Sequence, residues 1–150
     1  MSVSQLLTEA GPLIGDVAIS ESDDGNAWVV IFNEDTEVFI ELDDEGSKVV
    51  LSANIATPDV NQRLTVYELI LQVNSQYLQT GGLRFGLEEP EGNVEMIADL
   101  SLHELNATTL ANVVADFASR IVEWRQTVHV GATETSTSDE ITPSAHLIRV

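Results

Sequence analysis

The sequence predicts an α+β fold: an antiparallel sheet of about five strands with three helices, in the order α-β-β-β-α-β-β-α. Three observations lead there. Short stretches of alternating apolar and polar residues recur along the chain, bounded by Asp-, Glu-, Asn- and Gly-rich turns. Other stretches repeat their apolar residues at helical spacing. The links between consecutive strands are too short for the crossover that parallel pairing requires.

The first helix is predicted over Ser2 to Ala10, where Val3, Leu6, Leu7 and Ala10 share a face and Ser2 with Gln5 suits a capping box. Gly11-Pro12 is read as its end. A short extended piece at Val17 to Ser20 precedes the turn cluster Ser22-Asp23-Asp24-Gly25-Asn26. Three strands follow. Ala27 to Phe32 is continuously apolar, whereas Glu37 to Leu42 and Lys48 to Ala56 alternate. The polar links Asn33-Glu34-Asp35-Thr36 and Asp43-Asp44-Glu45-Gly46 make the three a meander.

In the second helix, Thr65 and Glu68 form T-x-x-E, read as a capping box, with Leu64 and Leu69 as its staple. Its apolar stripe is read as Val66, Leu69, Ile70, Val73 and Tyr77, and Gly81-Gly82 as its stop. Two alternating strands come next, at Leu83, Phe85, Leu87 and at Val94, Met96, Ala98, Leu100, joined through Glu89-Pro90-Glu91-Gly92. The last helix runs from about Ala107 to Val128, with Asn106 or Thr108 as cap and Trp124 beside its main stripe. Residues 1–130 are thus read as one domain, and 131–150 as a polar, flexible C-terminal tail ending in Ala145-His-Leu-Ile-Arg-Val.

Composition restricts the function. The 150 residues carry six Lys and Arg against 25 Asp and Glu, a net charge of −19. Such a chain repels phosphates and anionic bilayers, so neither nucleic acid nor membrane is expected as a partner. It attracts basic partners instead. The chain has no cysteine, which removes disulfides, thiolate metal sites and a Cys nucleophile. The N-terminus lacks a basic n-region and carries Glu9, unlike a signal peptide, and no apolar run approaches the roughly 20 residues of a spanning helix. A bacterial cytoplasmic protein is expected.

No catalytic pattern emerges. There is one lysine, Lys48, and no phosphate-binding loop around it. His103, His129 and His146 lie in no metal-ligand spacing, and the acidic turns lack the alternating ligands of a calcium loop. No cofactor, no metal and no enzymatic activity are expected. Surplus apolar surface is the feature left over. Phe39 shares a face with Glu37 and Glu41, Ile97 with Glu95 and Asp99, and both faces of Ala27 to Phe32 are apolar, which points to an interface.

The element order, the segment Leu69-Ile-Leu-Gln-Val-Asn-Ser, the stretch from Thr80 through Gly81-Gly82 to Met96, and the last helix with Phe117, Ala118 and Trp124 resemble the class I type III secretion chaperones, the Tir-chaperone family. The resemblance spans about Ser2 to Val128, with a shorter first helix and an additional tail. It implies a homodimer without catalysis that binds the N-terminal region of a secreted effector and keeps it soluble and secretion-competent. By the same resemblance the effector surface falls on Leu6, Leu7, Trp28, Val30, Phe32, Phe39 and Val50, and the dimer surface on Tyr77, Leu83, Phe85 and Leu87. Three other readings are a YbjN-like regulatory protein of the same fold without a secreted client, an enzyme with an acidic metal-assisted site, and a purely structural oligomer.

Overall fold

The computed structural model describes residues 1–130. The predicted tail at 131–150 lies outside them. The elements are α1 (Val3–Ile14), β1 (Ala18–Glu21), β2 (Ala27–Asn33), β3 (Thr36–Leu42), β4 (Lys48–Ala56), α2 (Arg63–Ser75), β5 (Arg84–Glu88), β6 (Asn93–Ser101) and α3 (Ala107–Val130), with a 3-10 turn at Leu102–Glu104. The chain is α+β, as expected, with six strands instead of five. The additional strand is β1, the short extended piece at Val17 to Ser20, which gains its place only by pairing with β2.

All strand pairs are antiparallel, and the sheet order is β1-β2-β3-β4-β6-β5. Alternation along each strand sorts side chains between two faces. Val30, Val38, Ile40, Val49, Leu51, Val94 and Met96 point to one face and are completely buried. Helices α1 and α3 pack on each other there, with α3 across β3 and β4 and α2 beside β5. Phe117, Leu110, Val114 and Ile121 of α3 close this core, each without solvent exposure. Trp124 belongs to it too: it is buried, its ring 4.4 Å from that of Phe85 in a tilted pair worth about 1 kcal/mol. The indole N–H of Trp28 is buried without a hydrogen-bond partner among the described residues.

Helix boundaries differ from the sequence reading in two places. The capping box at Ser2 and Gln5 forms, with both reciprocal bonds present. Yet α1 runs through Gly11-Pro12 to Ile14 and ends at Gly15, whose φ of 121° suits glycine. A proline so near the C-terminal end removes only one helical bond, to the carbonyl four residues back. Gly11 serves closeness instead, since a Cβ there would stand 3.3 Å from Ile19 Cδ1. In α2 the T-x-x-E motif is not a cap. The helix starts three residues earlier, after Gln62, where the Gln62 and Arg63 amides both donate to Asp59 O. It ends at Ser75, so Tyr77 sits in the following turn and off the helix. At α3 the Asn106 alternative holds: its Oδ1 accepts from the Thr109 amide at 2.9 Å.

Arg125 ties the far end of α3 to the sheet. Its guanidinium donates to Ile55 O at 3.2 Å, Asn54 O at 3.1 Å and Asp35 O, bridging the β2–β3 turn and the end of β4. The β4–β6 register is irregular there, between Asn54 and Ala56. Nε, Nη1 and Nη2 each serve one carbonyl, a spread that the single ammonium nitrogen of a lysine does not reproduce.

Candidate functional site

Among the described residues nothing covers the sheet face opposite the helices, and its apolar residues form a row. The register places Ser20, Val29, Phe39, Ser52, Ile97 and Arg84 side by side across all six strands. Val29, Phe39 and Ile97 are partly exposed, as are Ile31 and Val50 beside them, and none packs against the helical core. Carboxylates frame this row. Glu37 pairs with Ile31, Glu41 with Val50, and Asp99 lies opposite Val50 on β6. Glu95 lies two residues from Ile97 on the same face. Asp99 also meets Arg84 at 2.9 Å, a pair open enough to water to contribute little stability. A greasy strip edged by negative charge suits an extended segment with alternating apolar side chains and basic residues.

The two edges of the sheet differ. At one end β5 is closed by a side chain. Asn74, near the end of α2, accepts from the Phe85 amide at 2.8 Å and donates to the Phe85 carbonyl at 2.9 Å, standing where another strand would pair. At the other end β1 pairs only with β2 and leaves its outer backbone groups open among the described residues.

A second apolar surface lies on the outside of α2 and the turn after it. Val60, Leu64, Leu71, Leu78, Tyr77 and Leu87 are all exposed, the first four between 66% and 78%. Leu64 and Leu71 are seven residues apart on one helix and therefore share a face. Only Val66 and Ile70 of the helix turn fully inward.

The residues singled out from the sequence divide accordingly. Leu6, Leu7, Trp28 and Val30 are core, at 3% exposure or less, and are closed to a partner in this conformation. The reason is register: Val30 and Trp28 alternate onto the helix-covered face, where α1 lays Leu6 and Leu7 against the core. Phe32 is partly buried and also packs towards that core. Phe39 and Val50 are on the open face. Of the four residues assigned to self-association, Leu83 and Phe85 are buried, while Tyr77 and Leu87 are exposed beside α2. Sequence reasoning missed Val60, Leu64, Leu71 and Leu78. Leu64 was read as a staple ahead of a misplaced helix start, and Leu71 lies off the inward stripe, although their seven-residue spacing was visible throughout.

Among the described residues no group of three or more His, Asp or Glu could hold a metal ion, and no helix is long and apolar enough to cross a membrane. His103 and His129 are exposed. Two carboxyls are shifted, both in turns. Asp43 is held below its ordinary 3.8 first by the Lys48 amide and then by the Ser47 amide and hydroxyl, and Asp24 likewise by the Ser22 hydroxyl and the Asn26 amide. These bonds shape hairpin turns.

Comparison with known proteins agrees with this reading of the fold. The chain is similar to one in the ExsC–ExsE complex, with a TM-score of 0.69 at 19% identity, covering 85% of this chain and 97% of that one. It is similar also to a chain of the HopA1–SchA chaperone–effector complex, with a TM-score of 0.65 at 18% identity, covering 82% and 92%. An uncharacterized protein from Methanothermobacter thermautotrophicus shares the fold more distantly, with a TM-score of 0.50 at 14% identity, covering 85% and 94%. No curated protein matches the chain. Residues 12–125 match the Tir chaperone protein (CesT) family, and the chain belongs to that family.

Proposed function

We propose that this protein is a type III secretion chaperone, a homodimer that binds the N-terminal region of a secreted effector and keeps it soluble and secretion-competent without catalysis. The observation that carries the reading is the acid-framed row Val29–Phe39–Ile97, left uncovered among the described residues on the fold of a chaperone family. Similarity to a chain found in a complex called chaperone–effector supports it. The effector's extended segment would lie along this row, with Phe39 and Val50 as contacts, and could add a strand at the β1 edge, the side on which no Asn74-like clamp stands. Of the residues first assigned to the effector, the buried ones act by holding α1 and β2 in place. The second copy would meet the outward residues of α2, with Leu64, Leu71, Leu78, Tyr77 and Leu87.

The test is co-expression of the full chain with secreted proteins of its own genome, followed by purification and light scattering. A two-to-one complex of this chain with the N-terminal part of one secreted protein is the expected result. A clean dimer that captures none of them would overturn the chaperone reading in favour of a regulatory protein of the same fold.

A further inference from the structure

We propose that a cavity at the β5 end of the open face binds one neutral aromatic side chain carrying an N–H or O–H donor, a tryptophan or tyrosine of a bound segment. Three observations carry this.

The first is place. The cavity, of about 430 Å³, is walled by Asn74, Tyr77, Gly82, Arg84 and Asp99. That volume is at the small end of the roughly 300–1,000 Å³ of ligand sites and suits a single ring system. Arg84 pairs with Ile97 and is the last position of the apolar row, so the row runs into the cavity. Asn74 bonds both backbone groups of Phe85 and holds that wall in place. A Cβ at Gly82 would meet no heavy atom within 4 Å, so nothing among the described residues fills that side.

The second is charge. Arg84 is the cation of the cavity, and it is already paired, its Nη2 donating to Asp99 Oδ1 at 2.9 Å. Glu95 lies beside it on the same face, opposite Gly86, and the chain carries a net charge of −19. An anion would enter against that field and compete with Asp99 for the guanidinium. A cation would be set against the guanidinium itself. A neutral ring meets neither obstacle, because a guanidinium offers its face to a ring while its N–H groups keep their partners in the plane.

The third is unused hydrogen-bonding capacity. Among the described residues Asp99 Oδ2 and the Tyr77 hydroxyl have no hydrogen-bond partner. Both can accept. An indole N–H or a phenol O–H in the cavity finds an acceptor there, whereas an aliphatic side chain would leave both acceptors without one.

A consequence for the bound segment rests on the function proposed above, whereas the cavity's preference does not. Phe39 is three strand spacings from Arg84, about 14 Å. Four residues of extended chain span about 13 Å. A segment with its aromatic residue in the cavity therefore sets the side chain four positions away over Phe39, on the same side of the chain. The anchor fixes where along its own sequence the segment docks. It enters from the open face, the side of Arg84 and Asp99, which the self-association proposed for α2 does not use.

The site is tested without a client. The full chain, enriched in nitrogen-15, is titrated with N-acetyl-tryptophanamide while its amide signals are followed. Saturable shifts at Gly82, Arg84 and Asp99 are expected, with a dissociation constant on the order of a millimolar. That constant should be at least threefold lower than for N-acetyl-leucinamide or indole-3-acetate. Arg84→Ala and Arg84→Lys should each raise it at least threefold, whereas Glu9→Gln, on the exposed side of α1, should leave it unchanged. Shifts that do not saturate, or that centre on α2, would overturn the proposal. So would an affinity for either of the other two probes within threefold of the first, or full affinity in Arg84→Lys, where the charge remains and the planar group is gone. Since no client is present, failure here leaves the chaperone reading intact, and failure to capture an effector leaves the probe result intact.

Discussion

The two faces of one sheet are built from the same strands and behave as two materials. On the helix-covered face Val30, Ile40, Leu51 and Met96 are wholly buried and meet Phe117 and Leu7. One residue away along each strand, Val29, Phe39 and Ile97 form a row that is partly exposed among the described residues, with carboxylates at its rim. Both faces are apolar, so hydrophobicity alone does not tell stability from binding. The difference lies in what each side chain touches, and it teaches that a strand apolar on both faces can serve the fold with one and a partner with the other.

The contrast can be broken most forcefully at its aromatic residues. Phe117→Ala should cost about 3–5 kcal/mol in urea unfolding, because it empties a fully enclosed site. Phe39→Ala should cost about 1 kcal/mol, since its ring already meets water. Equal losses at the two positions would erase the distinction between faces.

Arg125→Ala should come next, at about 2–3 kcal/mol, since three carbonyls lose a charged donor. Arg125→Lys should recover little of it. Asn74→Ala should cost about 1–2 kcal/mol and open the β5 edge, visible as concentration-dependent light scattering. If scattering stays unchanged, Asn74 does not guard that edge.

The smallest effect is one of pH. Asp43 and Asp24 have folded-state pKa values depressed below the ordinary 3.8. Their contribution is therefore present above the unfolded value and lost as pH falls through the folded one. Thermal midpoints should be insensitive to these two groups near neutrality and fall below about pH 4. Asp43→Asn should flatten part of that fall without altering the open face.

Much of the fold was legible because it is local. Period-two alternation located β3, β4 and β6 and assigned their faces, and the Ser2–Gln5 box located the start of α1. What stayed hidden depends on distant partners. β1 is a strand only because β2 pairs with it, and Gly11 is a glycine because Ile19 approaches it. Trp124 looked peripheral on its helix and is buried because Phe85 lies opposite. The candidate site was half legible. Phe39 and Ile97 could be found because each shares its strand's face with acids, and Val50 came from the family resemblance alone, whereas Trp28 and Val30 could not be assigned to a face while both sides of β2 read as apolar. Asn74 and Arg125 gave no signal at all, since each works through backbone groups of other strands.

The most direct measurement of the central claim is calorimetric titration of the captured effector's N-terminal segment into the full chain and into Phe39→Asp/Ile97→Asp. The account predicts at least a tenfold loss of affinity in the variant, equivalent to about 1.4 kcal/mol, in a protein that still unfolds cooperatively well above the temperature of the titration. Undiminished affinity in a folded variant would contradict it, and would place the partner on some surface other than the open face of the sheet.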